Sequence, residues 1–145
     1  MEGPVTTPHE ILNPESLAPP VGFAHAVVAG PGRTVYLGGQ TGHDADGELA
    51  GKSLVDQFDR AAANVIEALA AAGAGAEHLV SLQIYVTDVA RYRGSLDRLA
   101  DVYQKHFGRH YPAIDLLGVT ELFDPRALVE LVGIAVIPSD TAPGQ

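Results

Sequence analysis

The sequence of 145 residues contains no cysteine. This absence excludes a disulfide scaffold, a thiolate zinc or iron–sulfur site and a cysteine nucleophile, and it is compatible with a reducing compartment. Positive charge is scarce as well, because 9 Lys and Arg stand against 18 Asp and Glu and leave a net charge of −9. Proteins bind phosphate backbones through basic surfaces. We therefore predict that nucleic acid is not a partner.

Long apolar runs are also missing. No run approaches the roughly 18–20 apolar residues of a membrane helix, and residues 1–4 lack the basic stretch and apolar core of a secretory signal. We therefore expect a soluble, cytoplasmic protein with no membrane partner. Nevertheless 46% of the residues are hydrophobic and only 19% are charged. This apolar share is large for one small domain, and it indicates that the chain forms an oligomer.

Prolines mark the start of the chain, with Pro4, Pro8, Pro14, Pro19 and Pro20 in the first twenty residues. They predict an extended N-terminal arm over residues 1–20. Residues 138–145 are similar in character and predict a flexible tail. The length is that of one domain, which we place at residues 21–137.

Hydrophobic periodicity predicts the elements within this domain. Apolar runs at residues 23–29 and 34–39 flank a Gly-Pro-Gly-Arg turn and predict a β-hairpin. Ser53 with Asp56 is typical of a helix start, and Gly73 ends that helix. The further predictions are a strand at 79–88, a helix at 95–107 ended by Gly108, and strands at 113–119 and 128–136. This order predicts an α+β fold in which two helices cover one face of a single sheet.

The last strand is apolar on both faces, although two helices can cover only one of them. Leu128, Val132 and Ile134 alternate with Val129 and Leu131. A strand buried on both sides implies that the second face packs against something else. We expect another copy of the same chain there.

Glu130 interrupts this apolar strand. A carboxylate in such surroundings needs a cation, a set of amides or a functional role. One interpretation is an inter-subunit hydrogen bond to backbone amides, and the other is a general acid–base or water-positioning group in a cleft. Asp115 is a second carboxylate in a predicted strand, and the sequence indicates a functional role for it less strongly than for Glu130. His106 and His110 have the spacing of metal ligands on a helix, but Gly108 between them favours structural roles.

An ordered set of motifs between about Gly22 and Ile137 resembles the Rid (YjgF) family of reactive-intermediate deaminases, which has a chorismate-mutase-like fold. The matching pieces are Gly39-Gln40, Gln57, Ala72-Gly73, Tyr85-Val86-Thr87-Asp88, Tyr103 to Phe107, Pro112-Ala113, Val129-Glu130-Leu131 and Ile134-Ala135.

The resemblance implies one mixed sheet with two helices on one face, and a homotrimer whose sheets form a central barrel with clefts between subunits. In the deaminating members an arginine directly after Pro-Ala binds the substrate carboxylate, and a glutamate on the last strand helps to place the attacking water. Glu130 matches that glutamate, but Ile114 stands at the arginine position. Gly38 and Phe23 also replace a serine and a tyrosine, so we expect a more apolar cleft, which Arg109 or Arg126 could reach from nearby loops.

We therefore predict a small-molecule enzyme acting on an imine, an enamine or a related reactive intermediate, by hydrolytic deamination or tautomerisation, and not on standard 2-imino acids. No cofactor and no metal is expected. The alternative is a non-catalytic metabolite-binding or chaperone-like trimer. Glu130 is the predicted catalytic residue, and the predicted substrate-binding residues of the cleft are Phe23, His25, Gly39, Gln40, Tyr111 and Ile114.

Overall fold

The structure is a computed structural model that describes residues 7–139. Its strands are β1 Glu10–Leu12, β2 Ala26–Val28, β3 Gly32–Tyr36, β4 Leu79–Val86, β5 Ala113–Gly118 and β6 Val129–Pro138. Its helices are α1 Leu54–Ala71, α2 Val89–Gly94 and α3 Leu96–Phe107, with a 3₁₀ turn at Ala76–His78. No helix in this part of the chain has the length and apolar character needed to cross a bilayer.

The main sheet has the strand order β3-β6-β4-β5. β6 is antiparallel to both β3 and β4, whereas β5 is parallel to β4. The sheet is therefore mixed. Its core side packs against α1 and α3, and the buried cluster joins residues of both helices to alternate residues of β4 and β6. The predicted α+β fold, with one mixed sheet and two helices on one face, is confirmed.

The helix boundaries follow from local signals that the sequence shows. Ser53 precedes α1, and its hydroxyl oxygen accepts a hydrogen bond from the Asp56 amide at 3.0 Å, which satisfies one of the free donors at the helix start. Gly73 follows α1 with φ +80°, and Gly108 ends α3 with φ +67°. Both values lie in the left-handed region that glycine adopts at low cost.

The predicted hairpin is wrong. β2 pairs antiparallel with β1, while β3 pairs antiparallel with β6. Gly32 lies within β3 and not in a turn, and a side chain there would collide with the Ile137 backbone of β6. The Gly-Pro-Gly-Arg segment is therefore drawn into long-range pairing, which a local turn signal does not specify.

The predicted arm contains structure that the prolines do not reveal. β1 lies within it, and the buried His9 bonds the carbonyl of His78 through Nε2 at 2.9 Å. At the other end, Pro138 still belongs to β6. Residues 1–6 of the predicted arm and 140–145 of the predicted tail lie outside the described residues.

The sheet face that points away from the helices, here called the open face, is only half-buried. On β6 it carries Glu130, Val132, Ile134 and Val136, and all four are partly exposed, in contrast to the buried Val129, Leu131 and Ala135 on the helix side. On β3, Tyr36 is paired with Ile134 and is 77% exposed. The open face thus combines apolar side chains of β6 with the Glu130 carboxylate, and the neighbouring strands add polar residues to it, namely Ser81, Gln83 and Tyr85 of β4 and Asp115 of β5.

Candidate functional site

Glu130 lies on the open face, where β6 pairs it with Tyr85 of β4. Its carboxylate rests against the backbone of Gly39. A Cβ at position 39 would lie 2.7 Å from Cδ of Glu130, so only glycine leaves room for this approach. No residue of the 7–139 range forms a hydrogen bond or ion pair with this carboxylate. Both oxygens are thus available to a water molecule or a ligand.

The carboxylate faces a cavity of about 530 Å³, here called the Glu130 cavity. One wall is Gly39 with Thr41 and His43, and a second wall is the loop before β6, which meets the first where His43 contacts Asp124. The residues that line it are Gly39, Thr41, His43, Phe123, Asp124, Pro125 and Glu130. Phe123 is fully exposed at this cavity, so the site is open to a partner or a ligand.

The segment that forms the first wall is held in place at several points. Gln40 exchanges two backbone hydrogen bonds with Leu131, both at 2.8 Å, which ties the segment to β6 beside Glu130. The Asn64 amide of α1 donates to the carbonyls of Thr41 at 3.1 Å and His43 at 2.8 Å. Arg60 in turn donates to the Asn64 oxygen at 2.9 Å. The wall is therefore fixed relative to both the sheet and the helix.

A hydrogen-bonded chain of polar side chains lines the Glu130 cavity. The Thr41 hydroxyl lies 2.6 Å from His43 Nδ1, and His43 Nε2 lies 3.0 Å from Oδ2 of Asp124. Arg126 holds the same carboxylate through Nε at 3.2 Å and Nη2 at 2.9 Å. The Arg126 side chain, its backbone amide and His43 keep the pKa of Asp124 well below its usual range. The Asp124 carboxylate is therefore ionised at neutral pH.

Sequence reasoning missed Thr41, His43 and Asp124. All three lie between the predicted strands and helices, and 81 residues separate His43 from Asp124. Loops carry functional residues more often than core strands do, but no spacing pattern links positions so far apart. Of the two arginines considered near the cleft, Arg126 lies beside this cavity, already bound to Asp124.

A second cavity, of about 670 Å³, lies on the helix side and is mainly apolar. Phe23, Tyr111 and Ile114 line it together with Leu96 and Leu116. The Tyr111 ring stacks on Tyr103 with centroids 5.0 Å apart and planes 7° apart. We call this the aromatic cavity.

The two cavities lie on opposite faces of the sheet. Ile114 is paired with Leu82, which is buried under the helices, whereas Glu130 is paired with Tyr85 on the open face. The seven predicted site residues therefore do not share one cavity of a single chain. Phe23, Tyr111 and Ile114 form one group, and Gly39 and Glu130 form the other.

The other two predicted wall residues, His25 and Gln40, line neither the Glu130 cavity nor the aromatic cavity. Nε2 of His25 donates to the carbonyl of Ala18 at 2.7 Å, and its ring packs edge-on against Phe23 with centroids 5.2 Å apart. Gln40 lines a shallow neighbouring cavity of about 580 Å³ that also contacts Gly39 and Thr41.

His106 and His110, the two histidines with metal-ligand spacing, each contact another part of the chain. His106 contacts Asp59 through Nε2 at 2.5 Å, and the buried His110 donates from Nε2 to the carbonyl of Leu79 at 2.7 Å. Asp115 is exposed. In the described part of the chain, no group of three or more His, Asp or Glu is arranged to hold a metal ion.

A mixed four-stranded sheet with two helices on one face, a glutamate on the last strand and a Gly-Gln pair beside it together define a Rid-type α+β domain. The family model described as Endoribonuclease L-PSP matches residues 14–137. The chain therefore belongs to this family, the Rid (YjgF) family, and the resemblance read from the sequence is confirmed.

Individual relatives are similar at low identity. The 2-iminobutanoate/2-iminopropanoate deaminase of Capra hircus is 32% identical over 106 residues, which make up 72% of this chain and 73% of that protein. Protein DfrA of Myxococcus xanthus is 32% identical over 130 residues, or 88% and 92% of the two chains. The crystal structure of YyfB of Yersinia pestis, a Rid family protein of unknown function, has a TM-score of 0.81 at 33% identity and covers 89% of this chain and 98% of that one.

Proposed function

We propose that this protein hydrolyses the imine or enamine of a neutral small molecule, in a cleft between the subunits of a homotrimer, with Glu130 as the general base. The observation that carries the proposal is the Glu130 carboxylate itself. It is partly buried in the Glu130 cavity, rests on Gly39 and has no bonding partner within residues 7–139. An unpaired carboxylate beside open space is suited to bind and deprotonate water.

The reaction requires a base that accepts a proton from water and a donor that protonates the nitrogen, and Glu130 is the base. Glu130 takes a proton from water as the oxygen attacks the carbon of the C=N bond, and the nitrogen takes up a second proton, from a proton donor, to become the amine of a carbinolamine. The carbinolamine then collapses, the C–N bond breaks, and ammonia and a carbonyl compound leave. Backbone amides near Gly39 would stabilise the developing charge. The similarity to the 2-iminobutanoate/2-iminopropanoate deaminase of Capra hircus supports this class of reaction.

The aromatic cavity supports a neutral substrate. Ile114 stands where the resemblance implies a carboxylate-binding arginine, and its neighbours in the cavity include Phe23 and Leu116. A carboxylate placed there would lose its hydration without gaining a bidentate cation. The nearby Arg126 already binds Asp124. We therefore propose that the substrate is an imine with an aliphatic or aromatic side chain and no acidic group.

The open face of the sheet supports a site shared between subunits. The open face exposes apolar side chains of β6, and Tyr36 on β3 is 77% exposed. Burial of such a face against another copy gains about 25 cal/mol per Å² of apolar area. Because the Glu130 cavity and the aromatic cavity lie on opposite faces of one chain, they can form one cleft only if each subunit contributes one of them. We propose this arrangement.

A non-catalytic trimer that binds a metabolite is the second candidate, and Ile114 is the observation that favours it. Without the arginine, the cleft could retain an apolar ligand and leave it unchanged. The net charge of −9 argues against RNA as the ligand of either candidate.

Ammonia release from freshly generated imines tests the proposal. Neutral imines are made in situ from primary amines by an amine oxidase, and 2-imino acids from amino acids by an amino-acid oxidase. We expect acceleration over buffer for neutral imines, little for 2-imino acids, and loss of the acceleration in Glu130→Gln. Glu121→Gln is the matched control, because Glu121 is an exposed glutamate of the loop before β6. Acceleration of no imine would favour the binding protein, and unchanged turnover in Glu130→Gln would refute the assigned role.

The trimer has its own test. Ile134→Asp places a charge in the middle of the open face, and we expect it to sediment as smaller species while its circular dichroism shows the native helices. Ala70→Asp on the exposed side of α1 should leave the sedimentation unchanged. If Ile134→Asp also stays trimeric, the open face is not the interface.

A further inference from the structure

Thr41, His43 and Asp124 form a continuous hydrogen-bonded chain whose first and last members line the Glu130 cavity. A hydroxyl, an imidazole and a carboxylate in this order are the parts of a proton-transfer unit, in which the carboxylate orients the imidazole and the imidazole exchanges a proton with the hydroxyl. The elements that carry them are the segment after β3 and the loop before β6.

The direction of each bond follows from Asp124. Its carboxylate is ionised because Arg126 binds both of its oxygens. An ionised carboxylate only accepts hydrogen bonds, so Nε2 of His43 carries a proton in either charge state of the ring. Nδ1 is therefore the ring nitrogen that gains or loses a proton. It accepts from the Thr41 hydroxyl when the ring is neutral, and it donates to the hydroxyl oxygen when the ring is a cation.

Both ring nitrogens of His43 are thus occupied, and the Thr41 hydroxyl is the end of the chain that can meet a substrate. Thr41 is also held in place, because its carbonyl accepts from Asn64 at 3.1 Å and its neighbour Gln40 is paired with Leu131. Glu130, adjacent to Leu131 on β6, lines the same cavity. Two acid–base groups therefore line one cavity.

We propose that Thr41, backed by His43 and Asp124, is the second acid–base group of the Glu130 cavity and protonates the imine nitrogen. This inference rests on the proposed function. In the addition step one proton moves from water to Glu130 and another moves from the Thr41 hydroxyl to nitrogen, while protonated His43 restores the hydroxyl. In the collapse step Glu130 returns its proton to the departing nitrogen, and the hydroxyl proton of the carbinolamine passes through Thr41 to His43. Both groups return to their starting states, and the sum is water plus imine giving carbonyl plus ammonia.

Substitutions at the two ends and the middle of the chain test the proposal on neutral imines. We expect Thr41→Val to lower kcat about 100-fold with little change in KM, since positioned acid–base groups contribute about 10²–10⁴-fold, and Thr41→Ser to retain most of the activity. Asp124→Asn and His43→Ala should lower kcat similarly, and added imidazole should partly restore His43→Ala. His106→Gln removes a histidine that is also paired with an aspartate but lies at Asp59, and it should leave kcat unchanged.

A second readout does not depend on turnover. Nitrogen-15 NMR of the imidazole should show His43 protonated at Nε2 in the native protein, with Nδ1 shifted in Thr41→Val and the tautomer preference lost in Asp124→Asn. A ring protonated only at Nδ1 would overturn the proposal. So would native kcat in a folded Thr41→Val, or failure of imidazole to restore any activity to His43→Ala.

The two proposals fail differently. If the native protein and Glu130→Gln are equally inactive on every imine, the proposed function is wrong and the acid–base role of Thr41 is overturned with it. If Glu130→Gln alone loses activity while Thr41→Val retains it, the proposed function stands and the Thr41 proposal is wrong.

Discussion

Gln57 is a buried polar residue of α1 whose side-chain amide joins three separate parts of the chain. It is 1% exposed. Its Nε2 donates to the carbonyls of Gly51 at 3.1 Å and Arg126 at 3.2 Å, and its Oε1 accepts from the Leu128 amide at 2.7 Å. These bonds connect α1 to the segment that leads into β6, the strand that carries Glu130. We predict that Gln57→Leu, which keeps the volume of the side chain, destabilises the protein through these bonds alone.

The expected cost follows from the three bonds. A net contribution of about 1 kcal/mol for each gives about 3 kcal/mol. The Gly51 and Arg126 residues are exposed, so water can satisfy their carbonyls, while the Leu128 amide is left without its partner in a half-buried position. For a chain of this size about 3 kcal/mol corresponds to a fall in Tm of about 6–12 °C.

Urea unfolding followed by far-ultraviolet circular dichroism measures this difference, with the protomer concentration fixed because an oligomer gains stability from association. Gln104→Leu is the matched control. Gln104 is an exposed glutamine of α3 with a single side-chain bond, to the Tyr111 hydroxyl at 3.0 Å, and its loss should cost under about 0.5 kcal/mol. Equal urea midpoints for the two variants would refute the role assigned to Gln57.

Three other predictions concern single positions. Gly39→Ala should reduce imine turnover at least about 10-fold, because its Cβ would overlap the Glu130 carboxylate. Gly38→Ala, which has open space around it, should leave turnover unchanged. Equal kcat values for the two variants would contradict this. Gly108→Ala should lower the free energy of unfolding by about 1–2 kcal/mol, since φ is +67° there. Gly94→Ala in α2 is the control, and an equal loss of stability in the two variants would contradict the prediction. Burial holds the pKa of His110 below its ordinary 6.5. The unfolded chain therefore binds more protons than the folded one, and the free energy of unfolding should fall as the pH drops below about 6.5. His110→Gln should show a smaller fall between pH 7.5 and 5.5, and an unchanged dependence of stability on pH would contradict this.

Helix ends that are decided by residues three or four positions apart were predicted correctly from the sequence. The start of α1 at Ser53 and the ends marked by Gly73 and Gly108 depend on the chain's own next turn, so the residues that decide them lie beside each other. The partner of a strand is different. The Gly-Pro-Gly-Arg segment indicates a turn, but the Pro31 carbonyl instead accepts from Ser139 at 2.9 Å, more than one hundred residues along the chain. Long-range pairing overrode the local signal.

The residues of the candidate site also differ in whether a local signal marks them or only long-range pairing brings them together. Glu130 could be found because a carboxylate among alternating apolar residues is a local anomaly that needs an explanation. The link from His43 to Asp124 could not be found, because it exists only after β6 has paired with the segment that carries Thr41. The separation of Ile114 and Glu130 onto opposite faces follows from the pairing register, which one sequence does not reveal.

β5 forms one end of the sheet, and this position has a consequence for handling the protein. Its first residue, Ala113, meets Ala24 in a single bridge, and beyond that point no strand of the described chain pairs with its outer side. Leu116 and Leu117 are 37% and 43% exposed there. An unpaired edge with exposed leucines is a template for adding further strands. Variants designed to separate the subunits of the proposed trimer, such as Ile134→Asp, should therefore be prone to precipitate instead of persisting as dilute monomers. Asp115 is the charge within β5 that opposes this.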